Sequence, residues 1–393
     1  MSKETDNLLR VAGKYGTPVY VYDQVTIEER CRALKRNFPG FTIHYAMKVN
    51  SNPSLLKIIR KQGIGIETMS AGEVRLALAV GYTPEDMAFT SSNLTEKELV
   101  AAGRTGARVH LDSLTQIETW GRRKLGRNIS IRLNQGVGAG GHEKWVTGGE
   151  KSKFGIALSD IPEAKRIANA YNLRITGLQQ HIGSNVLDAS LLIRAAETLL
   201  TRLSEFPEVT HLDFGGGFGV PYRSEEKTLD IRAVGKGICA LVEKHQRDLG
   251  RSISCSIEPG RYLVAEAGSL LVSVVDVKRT QKHLFAGVNS GFNHLVRPVM
   301  YGAYHRIQNL SRAKGKTVPV TIAGNLCESG DIYAWDRSMV TPERGDVLAI
   351  RTAGSCGFSM ASLFNMRSLP KEVVIDTKGG LRNISFKPQE YLS

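Results

Sequence analysis

Residues 41–48 read FTIHYAMK, a short apolar run that ends on a lysine, and both the fold and the chemistry turn on it. The run is brief, mixes a β-branched residue with aromatics, and is bounded by polar sequence, which is the pattern of a buried strand. SNPSLLKIIRKQG (51–63) follows, with apolar residues at helical spacing, a polar start and a glycine stop.

The same strand-then-helix texture recurs along the chain. IGIET (64–68), MAFTS (87–91), ARVHLD (107–112), ISIRLN (129–134), ITGLQQHI (175–182), VTHLDFGGG (209–217) and ISCSIEPG (253–260) read as further strands. SAGEVRLALAVG (70–81) and SLLIRAAETLLTRLSEF (190–206) read as helices between them. Eight strands alternating with helices predict a (β/α)8 TIM barrel over residues 25–270. After residue 270 the helical period fades. SLLVSVVDVKRT (269–280), HLFAGVNS (283–290), TVPVTIAG (317–324) and DVLAIRTAG (346–354) predict a C-terminal β-sandwich or β-barrel domain over 271–393. TPVYVYD (17–23) is also strand-like and either joins that domain, with residues 1–24, or leads into the barrel.

In a parallel barrel, functional side chains sit at the C-terminal ends of strands, and several unusual residues fall there. Lys48 ends the first run; a partly desolvated lysine can condense with an aldehyde, although a lone lysine is more often a solvated surface residue. His181 can stack on a flat ring or simply fill the core. Gly215, Gly216 and Gly217 let backbone N–H groups converge on a phosphate, and equally suit a tight turn. Glu258, followed by Gly260 and Arg261, can bond a protonated pyridine nitrogen, or pair with Arg261. Cys327, Glu328 and Asp331 share a Gly-flanked loop suited to proton transfer and amine recognition.

Composition narrows the classes. The 393 residues are 41% hydrophobic and 23% charged, ordinary globular values. No apolar run approaches the roughly 18 residues of a membrane span, and the polar start lacks a secretory apolar core. Five widely spaced cysteines show no metal-ligand spacing, so no metal is expected and a reduced, cytoplasmic setting is. The formal charge of +14 is spread along the chain, so no nucleic-acid partner is expected.

Taken in order, these motifs resemble the fold-type III pyridoxal-phosphate decarboxylases, and within them the diaminopimelate decarboxylase family. The resemblance runs through YAMKVNSN (45–52), SAGE (70–73), TGGEKSKFGI (147–156), HIGS (181–184), FGGGFGVPY (214–222), EPGR (258–261), GFNHLVRPVMYGAYH (291–305), GNLCESGD (324–331) and GFSMAS (357–362). It implies pyridoxal 5'-phosphate as a Schiff base on Lys48, with His181 stacked on the ring and Glu258 on its nitrogen. Ser184, Gly216, Gly217, Gly260, Arg261 and Cys356 match positions in or beside the phosphate site. Arg261, Arg297 and Tyr301 match positions that hold a distal substrate carboxylate, with Glu328 on the distal ammonium. The resemblance also implies a homodimer with shared active sites, Cys327 and Glu328 entering the partner's site. The implied reaction is meso-diaminopimelate to L-lysine and CO2. Decarboxylation of a D-amino acid such as D-lysine or D-ornithine, or of a specialised precursor, and a non-catalytic cofactor-binding role stand as alternatives. Departures gather near the site: Cys356 for a tyrosine, Glu67 for an aspartate, Asn289 for an aspartate, Asn325 for a proline, and Phe364 and Met366 in the FNMR stretch.

Overall fold

The computed structural model describes residues 2–136, 138, 152–387 and 389. The first five residues of the TGGEKSKFGI motif, 147–151, lie outside the described residues. The chain opens with α1 (Lys3–Tyr15) and β1 (Val19–Asp23). The sequence pattern had not predicted α1; its Leu8, Val11 and Ala12 are buried against Val19, Leu271 and Val373. Its apolar stripe is too narrow to stand out amid polar residues until a sheet is there to receive it.

The barrel strands follow. They are β2 (Thr42–Ala46), β3 (Gly65–Thr68), β4 (Met87–Thr90), β5 (Arg108–Leu111) and β6 (Asn128–Asn134). A two-residue β7 (Ile156–Ala157) pairs only with the end of β6. Then come β8 (Arg174–Gln179), β9 (His211–Asp213) and β10 (Ser254–Ile257). All eight expected strands form, and every pairing is parallel. The β10–β2 pair, Ile257 against Ile43, closes the ring.

Helices α2 (Gln24–Asn37), α3 (Pro53–Lys61), α4 (Ala71–Ala79), α5 (Glu96–Gly103), α6 (Leu114–Arg122), α7 (Ile161–Ala170), α8 (Ala189–Thr201) and α9 (Ile231–Leu249) surround it. Their starts are set by local chemistry. The Asn52 side chain accepts from the Ser54 N–H with Pro53 at the first helical position, while Ser70, Thr95 and Asp230 cap α4, α5 and α9.

Past the short α10 (Arg261–Val264) the chain builds a second, mixed sheet. Its strands are β11 (Gly268–Arg279), β12 (Leu284–Val288), β13 (Ile307–Asn309), β14 (Thr317–Ala323) and β15 (Ile332–Val340), then β16 (Val347–Ile350), β17 (Lys371–Ile375) and β18 (Leu381–Asn383). The one-turn helix α11 (Arg297–Tyr301) interrupts it. Strand β1 joins this sheet, antiparallel to β11 and parallel to β17. The twelve-residue β11 is its hub, pairing with β1 and β16 along its first half and β12 along its second.

The two sheets meet at the turn that carries Lys48. The Val49 carbonyl accepts from the Cys356 N–H at 2.7 Å and the Ser359 hydroxyl at 3.0 Å. Asn50 Nδ2 donates to the Gly354 carbonyl at 3.1 Å. Deeper in the seam, buried Glu372 on β17 accepts from Tyr22 Oη and Asn52 Nδ2, both at 2.9 Å. Burial, partly offset by those two donors, pushes its carboxyl up to about 7. A carboxyl raised in the folded state contributes stability that is present below the unfolded value and lost as pH climbs through about 7. The free energy at stake is on the order of 3 kcal/mol. Urea unfolding between pH 4.5 and 7.5 should therefore show the wild type losing on the order of 3 kcal/mol relative to Glu372→Gln. Parallel curves for the two proteins would remove Glu372 as the source.

Candidate active site

Lys48 lies in the 3-10 turn Met47–Val49 directly after β2. Its Nζ donates to Glu67 Oε2 at 2.5 Å, and Glu67, at the end of β3, is 2% exposed. Burial presses the lysine's pKa down, but the Glu67 and Glu258 carboxylates outweigh it and hold the amine above its ordinary range. Glu258 follows β10, buried, with Oε2 accepting from Gln179 Nε2 at 3.0 Å. Its Oε1 is buried and has no hydrogen-bond partner among the described residues. Burial, with Asp213 and Glu67 as like charges, pushes its pKa well above the carboxylate range against the opposing pull of Lys48. Oxygens of Asp213 and Glu258 and a nitrogen of His110 lie within 4.8 Å of one another.

His181 follows β8. Its Nδ1 accepts from the Gly216 N–H at 3.1 Å, so the neutral ring carries its proton on Nε2. Burial, Arg132 and Lys48 all lower its pKa well below the ordinary value, which keeps the ring neutral. The glycine loop leaves no room for side chains here. A Cβ at Gly216 would stand 2.3 Å from the Glu258 carbonyl oxygen, and one at Gly260 2.9 Å from Val49 Cγ1. Gly217, at φ +101°, adopts backbone that favours glycine.

Beside this loop lie two buried arginines. Arg261 Nε and Nη2 donate to Ser184 Oγ at 3.3 and 3.1 Å, and Nη1 donates to Tyr222 Oη at 2.6 Å. Arg297, 1% exposed, contacts His305 Nε2 at 3.0 Å. Burial and the two guanidiniums hold His305 down to about 3, so its ring is uncharged. Both guanidiniums face the Tyr222 ring, at 5.8 Å for Arg261 and 4.6 Å for Arg297. Arg297 and Tyr301 share a cavity of about 360 Å3 with Tyr222. Cys356 is held at φ +55° by its N–H bond to Val49. In the sequence Tyr222, Gln179, Asp213 and His305 appear only within longer runs and carry no assigned role, because local spacing holds no signal of what a polar side chain faces.

Cys327 and Glu328 stand apart, exposed on the β14–β15 loop. Asn365 clamps the cysteine: its Oδ1 accepts from the Cys327 N–H at 3.1 Å and its Nδ2 donates to Sγ at 3.3 Å. Among the described residues, neither Cys327 nor Glu328 bonds to the Lys48 group.

A lysine, a neutral imidazole, a glycine cradle and an unfilled buried carboxylate oxygen at one barrel mouth fit a flat, phosphorylated carbonyl cofactor with a protonated ring nitrogen. The class they define is the pyridoxal enzyme. The chain belongs to the pyridoxal-dependent decarboxylases, and within them to the diaminopimelate decarboxylase family. Residues 24–265 match the family described as pyridoxal-dependent decarboxylase, pyridoxal binding domain. The chain is 40% identical to the diaminopimelate decarboxylase of Methanothermobacter thermautotrophicus over 93% of its own length and 88% of the relative's. The Escherichia coli K12 enzyme of that name is 35% identical, covering 94% and 91%. A crystal structure of diaminopimelate decarboxylase superposes with TM-score 0.91 at 34% identity, over 99% of this chain and 96% of that one. The Helicobacter pylori enzyme, solved with L-lysine, gives 0.88 at 28% identity and 98% of each chain.

Gly216→Ala should weaken pyridoxal-phosphate binding at least roughly tenfold, because the Glu258 carbonyl at 2.3 Å cannot yield without moving the carboxylate behind it. Titration of the apoprotein by absorbance measures this; unchanged affinity would show that the loop does not bound the cofactor.

Proposed function

We propose that this chain converts meso-diaminopimelate to L-lysine and CO2, with pyridoxal 5'-phosphate held on Lys48. The observation that carries the substrate is the pair of buried arginines, Arg261 and Arg297, turned to one tyrosine ring beside the cradle. Arginine forks match carboxylates, and diaminopimelate carries a second carboxylate far from the bond that breaks. Ser184, Tyr222 and His305 orient the two guanidiniums without lending them charge. Tyr301 adds a hydroxyl to the same cavity.

When bound, pyridoxal phosphate supplies an aldehyde that condenses with amines and a ring that takes up the electron pair left as CO2 departs. The chain does the rest. Glu67 holds and orients the Lys48 Nζ across 2.5 Å, and the amine must give up its proton before it acts as a nucleophile. Glu258 Oε1 would accept from the ring nitrogen and keep it protonated. His181 would lie against the ring as a neutral imidazole, and Ser184, Gly216, Gly217, Gly260 and Arg261 would hold the phosphate, with Cys356 beside them. Cys327 of a second copy delivers the proton that replaces CO2, and that copy's Glu328 takes the distal ammonium. The site is thus completed by a homodimer. Leu363, Phe364 and Met366, exposed beside Cys327, supply an apolar surface for that contact. For experiment we divide the chain into a barrel of 25–270 and a β domain of 1–24 with 271–393. A cytoplasmic enzyme suits the free cysteines.

The decisive assay follows CO2 from the cofactor-loaded protein given meso-diaminopimelate, D-lysine, D-ornithine or L-lysine. Release from diaminopimelate is expected; release from the D-amino acids alone would replace this reading with a D-amino-acid decarboxylase. Arg297→Met should cut kcat/KM for diaminopimelate by about 10–100-fold, the loss of one charge-assisted contact. Lys48→Ala and Cys327→Ala should each be inactive, yet mixed and reassorted they should recover roughly a quarter of wild-type activity, since half the dimers are hybrids with one intact site. Mixtures that stay inactive would argue for sites built within one chain.

A further inference from the structure

Asp213, the last residue of β9, is completely buried and has no part in the chemistry set out around Lys48. Burying a carboxylate near other carboxylates costs free energy unless donors hold it there. Two do. The Gly215 N–H donates to Oδ1 at 2.7 Å, and the Ser256 hydroxyl on β10 donates to Oδ2. Ser256 Oγ in turn meets His211 Nε2 at 3.0 Å.

These contacts lead straight to the cofactor site. The Gly215 carbonyl accepts from the Glu258 N–H at 2.9 Å, and the next N–H, that of Gly216, donates to His181 Nδ1. One short loop therefore ties Asp213 to the glycine cradle, to the imidazole and to the carboxylate with the bare oxygen. Oxygens of Asp213 and Glu258 also lie within 4.8 Å of each other, a range at which two carboxylates resist being ionised together. Asp213 has two donors and keeps its charge, whereas Glu258 has Gln179 alone. The other groups facing the pair do not cancel that charge. Glu67 is a further carboxylate, Lys48 is bonded to Glu67, and Arg132 lies 3.5 Å from Asp112. Arg108 faces Asp213 from the exposed end of β5. His110 Nε2, 4.0 Å from Asp213 Oδ2, belongs to a ring that burial, His211 and Arg108 keep neutral.

We propose that Asp213 is a positioning residue for the cofactor: through Glu258 its charge holds a proton on the ring nitrogen, and through Gly215 it fixes the glycine loop. This rests on the cofactor reading above and is independent of the substrate. A pyridine nitrogen bonded to one carboxylate loses its proton more readily than one with a second negative charge behind that carboxylate. The protonated ring draws electrons more strongly, so Asp213 strengthens the electron sink without touching it.

The test loads the full chain with pyridoxal phosphate carrying nitrogen-15 in the ring and follows that signal by NMR from about pH 6 to about pH 10. Asp213→Asn is isosteric, keeps an acceptor for the Gly215 N–H and offers an N–H to Ser256 Oγ. The midpoint for loss of the ring proton should fall by about one pH unit or more in this variant. Affinity is measured alongside for pyridoxal phosphate and for its 1-deaza analogue, in which carbon replaces the ring nitrogen. Asp213→Asn should weaken the first roughly tenfold more than the second, a difference that a residue shaping only the loop does not produce. Asp213→Ser, smaller and also uncharged, supplies both readings should the amide not fold. An unmoved midpoint, or equal loss of affinity for the two cofactors, overturns the role of Asp213 alone. A wild type that takes up no cofactor overturns both this role and the reading on which it rests.

Discussion

One lysine ammonium shares a low-dielectric space with the carboxyls of Glu67 and Glu258, and Asp213 lies close behind. At short range and low dielectric such charges interact strongly, and burial penalises each of them before any pairing is counted. The result is a division of labour. Glu67 is satisfied by Lys48 at 2.5 Å, whereas Glu258 is left with one donor, Gln179, and one bare oxygen. Both Glu258 and Asp213 are pushed upward, because neighbouring carboxylates resist being ionised together. A cation at the bare oxygen of Glu258 relieves that repulsion, so the site is built short of one positive charge.

Holding the charge-poor arrangement requires rigid surroundings, and the second sheet provides them. The residues after Lys48 are tied to the 354–359 stretch by Cys356, Ser359 and Asn50, while Tyr20 Oη reaches across to the His294 carbonyl at 2.7 Å. Cys356 is therefore fixed by its backbone, whatever its side chain does. Below the site, polar residues continue down the barrel through Asp213, Ser256 and His211. Each costs more to bury than a branched apolar residue would, so the column is stable only because its members satisfy one another.

Strand order, the eight barrel strands and the placement of Lys48, His181, Gly216 and Glu258 at their ends were legible because period and punctuation are local signals. The sheet that receives β1 was legible only as an alternative, since VYVYD looks the same beside either neighbour. Helix α1 escaped notice because its burial depends on β1 and β17, far away in sequence. The arginines were named from motif positions, but their convergence on Tyr222 is a tertiary fact with no counterpart in spacing. Likewise, nothing local in GNLCESGD announces that Asn365, 38 residues on, grips its cysteine.

That grip bears on the departures in the FNMR stretch. Asn365 and Met366 both sit in the left-handed region, at φ +56° and +54°. Asparagine tolerates this conformation, but methionine there costs about 1 kcal/mol or more, and Met366 is 92% exposed, so no burial offsets it. Two donor–acceptor contacts to Cys327 and the stacking of Phe364 on Phe292, 5.7 Å apart, are what hold the turn. Strain kept at the surface, beside an exposed thiol and three exposed apolar side chains, is spent on presenting that thiol outward rather than on packing this chain. Asn365, which makes both contacts to Cys327, is therefore the residue on which the shape of this turn depends.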